Sequence, residues 1–349
     1  MNHFQKYLAE EFAEDYQEGR LSRRQALKMI ASVTGSLVYA ETFLAACAPA
    51  PAATATTAPS DTALPPSNTP APSAAPTNSP PPAATATAAP TDAAGEATPA
   101  PPNAHTPTQP APAGTVLPDD PAIQAQAVEF PGEGATLLGY LAVPATGDGP
   151  FAVVLVCHEN RGLTAHIQDV TRRFAKAGYV ALAVDLLSRQ GGSALVGEGG
   201  ASGALSSLTP DQYGQDFRSG WEYTATLPQA APERLGMTGF CFGGGVTWQV
   251  ATMMPELRAA VPYYGPHPPL DLVPNIIAAV LGIYGELDGR INGGIPAIES
   301  AMQANGKTFQ KIIYPGADHA FNNDTGSRYN ASAAADAWAQ TLAWFAQYL

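Results

Sequence analysis

The sequence predicts an α/β fold, a mainly parallel, doubly wound sheet with helices on both faces, over its C-terminal part. Three observations carry that expectation. Strand-like apolar runs alternate with helical patterns from about residue 119 to the end. One run, Phe151 to Cys157, is apolar throughout, as a strand covered on both faces must be. A glycine-rich turn, Gly239-Phe240-Cys241-Phe242-Gly243, follows directly on the run Leu235-Gly236-Met237-Thr238 and can open a helix.

Composition narrows what surrounds that fold. Of 349 residues 34 are proline, most of them before about residue 120, so length overstates the folded mass. A formal net charge of -13 with only 13% charged residues provides no footprint for nucleic acid. Three cysteines without a C-x-x-C pair make neither a disulfide framework nor a zinc ribbon.

Residues 1–47 read as an export signal. Arg23-Arg24 precede an apolar stretch and resemble a twin-arginine signal, the alternative being an ordinary basic helix face. Met29 to Ala46 is too short and, with Glu41 inside it, too polar for a permanent membrane span. It ends in Leu44-Ala45-Ala46-Cys47, which resembles a lipobox. Such a motif implies cleavage before Cys47, lipidation of its sulfur, and a lipid-anchored protein at the cell surface or on the periplasmic side of the cytoplasmic membrane. Two acyl chains suffice for stable anchoring, each buried methylene contributing about 0.8 kcal/mol. Residues 48–117 are dominated by Ala, Pro and Thr and bury too little surface to offset chain entropy, so they read as a disordered linker.

The third region, residues 118–349, carries the alternating pattern. Val128 to Phe130 and Leu137 to Ala142 read as an opening hairpin, and Phe151 to Cys157 as the first buried strand. Thr171 to Ala177 reads as a helix stopped by Gly178, and Tyr179 to Val184 as the next strand. A Gly- and Ser-rich loop from Ser188 to Ala204 suggests a mobile rim. A helix from Asp211 to Thr226 then leads to the strand before Cys241. Further strands are expected at Ala259 to Tyr264, Ile277 to Tyr284 and Phe309 to Tyr314, with a helix around Pro296 to Asn305. In the last helix, Ala331 to Tyr348, Trp338, Leu342, Phe345 and Leu349 recur at spacings of four and three and form one apolar stripe.

The turn at Cys241 is a G-x-nucleophile-x-G elbow with cysteine as the nucleophile. Its glycines allow close backbone approach. The N–H of Phe242, at a helix N-terminus, can stabilise an oxyanion while the helix dipole lowers the thiol pKa. Taken alone, Cys241 could equally be a buried structural cysteine, and Cys157 near the same sheet edge could pair with it. Chain order favours catalysis, because nucleophile, acid and histidine follow one another on successive strand ends. Gly285-Glu286-Leu287-Asp288-Gly289 supplies the acid and Asp318-His319-Ala320-Phe321 the base. His319 would take the thiol proton and Asp288 would orient it. Glu286 competes for the acid role, but Asp288 falls later in the loop, beside a glycine. Asp318 reads as a loop or cap residue, and His158, His166 and His267 as local hydrogen-bonding residues. Glu159, in His158-Glu159-Asn160-Arg161-Gly162, belongs to the same sheet edge. There a carboxylate could hold the resting thiol, and the Asn160 N–H could be the second oxyanion donor.

Four segments together resemble the dienelactone hydrolase family. They are Val156-Cys157-His158-Glu159-Asn160-Arg161-Gly162-Leu163, Gly178-Tyr179-Val180-Ala181-Leu182-Ala183-Val184-Asp185-Leu186, Gly239-Phe240-Cys241-Phe242-Gly243-Gly244 and Tyr314-Pro315-Gly316-Ala317-Asp318-His319-Ala320-Phe321. The resemblance implies an α/β-hydrolase fold, a Cys241, Asp288, His319 triad, and no metal or organic cofactor. It further implies that Glu159 contacts Cys241 at rest and releases it when substrate binds. The substrate implied is a small ester, lactone or thioester; a non-catalytic surface binding protein that keeps the fold is the alternative. Family members acting on dienelactone hold its carboxylate with a serine directly after the histidine and an arginine three residues further on. Here those positions are Ala320 and Asn323. Arg161, Arg189, Arg290 and Arg328 could anchor an anion from other loops.

Overall fold

In a computed structural model of the chain, residues 1–46 and 114–349 are described. The Val116 N–H donates to Asp169 and the Val116 carbonyl accepts from Arg172, so the incoming chain is tied down just ahead of the sheet.

Eight strands form one sheet in the order β1-β2-β4-β3-β5-β6-β7-β8. The hairpin of β1 (Ile123–Gly132) and β2 (Ala135–Pro144) is antiparallel, and β2 runs antiparallel to β4 (Val180–Asp185). From β4 onward every pairing is parallel, through β3 (Phe151–Cys157), β5 (Ala230–Phe240), β6 (Leu257–Tyr263), β7 (Ala279–Gly285) and β8 (Phe309–Tyr314). The sequence strands are all present. β3, β4 and β7 are buried along their whole length, the condition that makes their sequences continuously apolar rather than alternating.

Among the described residues, three helices lie ahead of the sheet: α1 (His3–Gln17), α2 (Arg23–Thr34) and α3 (Leu37–Ala46). Helix α4 (Ala165–Lys176) follows β3 and starts six residues earlier than expected, at Ala165 rather than Thr171. Short α5 (Ser193–Val196) and α6 (Glu198–Leu205) structure the loop expected as a rim, and α7 (Pro210–Thr224) precedes β5. Helix α8 (Phe242–Ala251) opens at the elbow, α9 (Gly289–Asn292) and α10 (Ile295–Ala304) follow β7, and α11 (Ala331–Tyr348) closes the chain. Its stripe packs as expected: Trp338, Leu342 and Phe345 are buried, and the Trp344 indole donates to the Ala279 carbonyl on β7.

The N-terminal helices belong to the same compact unit as the sheet. A capping box joins Asn2 and Gln5 at the start of α1, and another joins Ser22 and Gln25 at the start of α2. Phe4, Tyr7, Leu8 and Phe12 of α1 are buried, and the Phe4 ring lies 5.0 Å from that of Tyr213 and 5.3 Å from that of Phe242. Arg23 and Arg24 remain exposed on α2. No described helix is long and apolar enough to cross a membrane. Cys47 and most of the Ala, Pro and Thr-rich stretch lie outside the described residues.

Candidate active site

Strand β5 delivers the chain to Cys241, which adopts φ 59° and ψ -121° before α8 begins. A non-glycine residue held there carries roughly 1–3 kcal/mol of backbone strain, which the surrounding packing must offset. The packing is correspondingly tight. A Cβ on Gly239 would lie 2.2 Å from the Gly243 carbonyl oxygen, and one on Gly243 would lie 2.4 Å from that of His158. The elbow is thus wedged between β5 and the end of β3. Gly239→Ala is expected to cost about 3 kcal/mol by overpacking against backbone that cannot yield, measured as a lowered urea midpoint with unchanged slope.

His319 and Asp288 come together across the ends of β7 and β8. The His319 Nδ1 is 2.6 Å from an Asp288 carboxylate oxygen, and both side chains are buried. Asp288 also accepts the Ile291 N–H at 3.2 Å, which fixes the carboxylate at the start of α9. Glu286 is exposed and accepts the Gly316 N–H instead, and Asp318 accepts the N–H of His319 as a loop residue. His158 and His267 each contact the carbonyl of the next residue, the local role expected of them, whereas the partner of His166 lies 158 residues away. His158 contacts the Glu159 carbonyl and accepts the Leu186 N–H, His166 pairs with Asp324, and His267 contacts the Pro268 carbonyl.

The carboxylate at the thiol is not the expected one. Glu159 accepts a hydrogen bond from Asn323 Nδ2 at 2.8 Å, whereas Cys241 Sγ lies 3.5 and 3.6 Å from the two carboxylate oxygens of Glu11 on α1. The Tyr7 hydroxyl lies 3.3 Å from the same sulfur. The resemblance-based contact between Glu159 and Cys241 is therefore replaced. Asn323, three residues after Ala320, engages Glu159, while α1 brings a second carboxylate over the elbow. Asn160 supports that arrangement by donating its side-chain N–H to Glu11 at 3.2 Å.

A ring nitrogen of His319, the Cys241 sulfur and a Glu11 oxygen all lie within 4.8 Å of one another, close enough to share a proton among them. The Nε2 of His319 makes no hydrogen bond among the described residues, so it is free to exchange a proton with a neighbour. Phe242, as the first residue of α8, offers an N–H with no intrahelical acceptor. The Asn160 backbone follows β3 at the adjacent strand end.

Charges set the resting protonation. Burial pushes the Cys241 thiol up, as does the Glu11 carboxylate, while His319 opposes them. Burial disfavours the imidazolium of His319, but Asp288 and Cys241 outweigh it and lift its pKa well above the usual histidine range. Burial likewise works against ionised Glu11, yet His319 and Arg290 hold its carboxyl below the usual range. Glu159 is pushed up by burial.

A cavity of about 570 Å³ reaches Cys241 and His319 between α1, α6 and the loop before α11. Arg161 and Arg328 line it; Arg161 is exposed and 3.7 Å from Glu198, and Arg328 is 4.0 Å from Asp15. Arg189 is engaged elsewhere, with Asp216, and Arg290, near the site, is paired with Glu14 of α1. Cys157 and Cys241 are both free thiols.

Residues 137–349 match the family model described as the dienelactone hydrolase family. A Methylorubrum extorquens protein named "Putative carboxymethylenebutenolidase" is 37% identical over 247 residues, covering 67% of this chain and 84% of that protein. An Escherichia coli O157:H7 protein of the same name is 36% identical over 253 residues, covering 66% of this chain and 89% of its own length. Among solved structures, a "Putative Dienelactone Hydrolase" from Klebsiella pneumoniae superposes with a TM-score of 0.60 at 34% identity, over 65% of this chain and all of that one.

Proposed function

The chain belongs to the dienelactone hydrolase family, and on that premise we propose that it hydrolyses an ester, lactone or thioester through a Cys241, His319, Asp288 relay. The observation that carries this reading is the Asp288 to His319 hydrogen bond of 2.6 Å, with the imidazole's second nitrogen unpartnered near a cysteine on a strained elbow.

In the proposed reaction His319 takes the thiol proton through Nε2, and the thiolate attacks the carbonyl carbon. The tetrahedral oxyanion is stabilised by the N–H of Phe242 and that of Asn160. Its collapse breaks the bond to the leaving oxygen or sulfur, which His319 protonates, and leaves a thioester on Cys241. Water then gives a proton to His319 and its hydroxide attacks the thioester. Acid is released and the returning proton restores the thiol. Asp288 stays ionised throughout and stabilises the imidazolium.

The substrate is a small molecule. With Ala320 and Asn323 after His319, and Asn323 hydrogen-bonded to Glu159, a carboxylate is not required by the route other family members use. Arg161 is left as a weak rim contact. Cys241→Ser is expected to lower kcat/KM for p-nitrophenyl esters at least about tenfold, because a hydroxyl is a far poorer nucleophile than a thiol under the same base. Wild-type turnover persisting undiminished in the variant would remove Cys241 from the reaction. Export through Arg23-Arg24 and lipidation at Cys47 complete the proposal and place the domain on a membrane-bound tether. Lipid-fraction partitioning that survives Cys47→Ala would defeat that anchoring.

A further inference from the structure

Resting on the reading of Cys241 as nucleophile, we propose that helix α1 is an intramolecular cap whose Glu11 latches Cys241 in its unreactive thiol form. Four observations place the latch.

Glu11 sits on the buried face of α1, with Phe4, Tyr7, Leu8 and Phe12, so it enters the site as part of a packed surface and not as a solvent-facing loop charge. A buried carboxylate requires partners. Glu11 has the thiol, which can donate to it at 3.5 Å, the Asn160 amide at 3.2 Å, and His319 Nε2 at 3.9 Å. With its S–H directed to Glu11, the thiol is held by a carboxylate that competes for it with His319, the histidine that would activate it.

The helix is fastened down beside this contact. Arg290 donates to Glu14 at 2.9 Å and lies 4.6 Å from the centre of the Tyr7 ring, and Gln5 donates to the Ser206 carbonyl at 3.1 Å. Cys241 is only 3% exposed beneath it.

The charged and titratable groups around the sulfur come from every neighbouring element. They are Tyr7 and Glu11 on α1, Cys157 and Glu159 at the end of β3, Tyr264 directly after β6, His319 backed by Asp288, and Arg290 and Arg328. Among these Glu11 is the carboxylate within hydrogen-bond reach of the thiol. The helix also precedes Arg23-Arg24 and the Cys47 motif in sequence. Processing before Cys47 would therefore sever α1, α2 and α3 from the rest of the chain, and dissociation of the severed cap would uncover the nucleophile.

The test follows Cys241 itself and needs no ester. Alkylation by iodoacetamide is measured on the full chain across pH, with the Cys241 adduct quantified by mass spectrometry. Glu11→Gln is expected to raise the rate at neutral pH about tenfold and lower the pH midpoint by about one unit, since one unit corresponds to a tenfold change in thiolate fraction. Glu11→Asp, which keeps the charge, should restore most of the slow rate. In a second arm a protease recognition sequence is placed directly after Cys47 in the full chain and cut after purification. Release of residues 1–47 should accelerate alkylation as much as Glu11→Gln does, and the two changes should not add. An unchanged or slower rate in Glu11→Gln, or a released domain that stays folded and alkylates no faster, overturns the latch. His319→Ala serves as a separate control. Alkylation insensitive to His319 counts against the nucleophile reading, whatever Glu11 does.

Discussion

His319→Ala is expected to reduce kcat/KM for a p-nitrophenyl ester by about 10⁴-fold, the loss associated with removing a base that acts in both halves of an acyl-transfer reaction. His319 is buried, and its Nε2 is the unpartnered nitrogen within reach of the thiol. Glu159 accepts from Asn323 and makes no hydrogen bond to the thiol among the described residues. Glu11 could accept the thiol proton, but a carboxyl held below its usual range is a weak base. The loss should fall on kcat more than on KM, because His319 acts on the reacting atoms. Combining it with Cys241→Ser should cost little beyond the larger single effect, since the two residues act as one unit. Steady-state kinetics of both single variants and the double variant check this; additive losses would mean that the two side chains work independently.

Most of what positions this site could be read from local pattern. A strand buried on both faces writes itself as a continuous apolar run, and β3 spans Phe151–Cys157 as expected. The stripe on α11 was legible because one face of a surface helix repeats at helical spacing. The elbow was legible because its geometry admits glycine and little else at Gly239 and Gly243. Helix α4 was placed late because His166, Asp169 and Arg172, all buried, look like solvent-facing polar residues; their partners are distant, with Arg172 donating to Val116 and Tyr140.

Glu11 and Tyr7 were not found, and the reason is again distance: Cys241 is 230 residues from Glu11 along the chain. A signal was nevertheless present. Phe4, Tyr7, Leu8 and Phe12 make an apolar stripe at spacings of three, one and four, and Glu11 lies on it. A carboxylate on a buried stripe asks for a buried partner. The Arg23-Arg24 and Cys47 motifs bear on export and carry no information on what the first helix packs against.

Asp288→Asn is expected to lower kcat/KM by about 10³-fold while Glu286→Gln changes it less than about twofold, a contrast that separates the two acids named from sequence. Asparagine keeps the shape of Asp288 but not the charge opposite His319, and its amide N–H can favour the wrong imidazole tautomer. Glu286 is exposed and its loss removes one hydrogen bond to Gly316. A linked change in stability has a definite sign. Burial alone would raise the Asp288 pKa, but the His319 charge and hydrogen bond hold it below the usual range, so its contribution is present above the unfolded aspartate value near 3.9 and is lost as pH falls through the lower folded value. His319 is raised, so its contribution is full below the unfolded histidine value near 6.5 and disappears as pH rises through the folded one. In Asp288→Asn both contributions shrink together, because each depends on the other's charge. Urea unfolding of wild type and variant from acid to alkaline pH should therefore show the largest gap between the two pKa ranges, narrowing at both ends. A gap that stayed constant with pH would mean that Asp288 acts through packing and its bond to Ile291, and not through the charge it shares with His319.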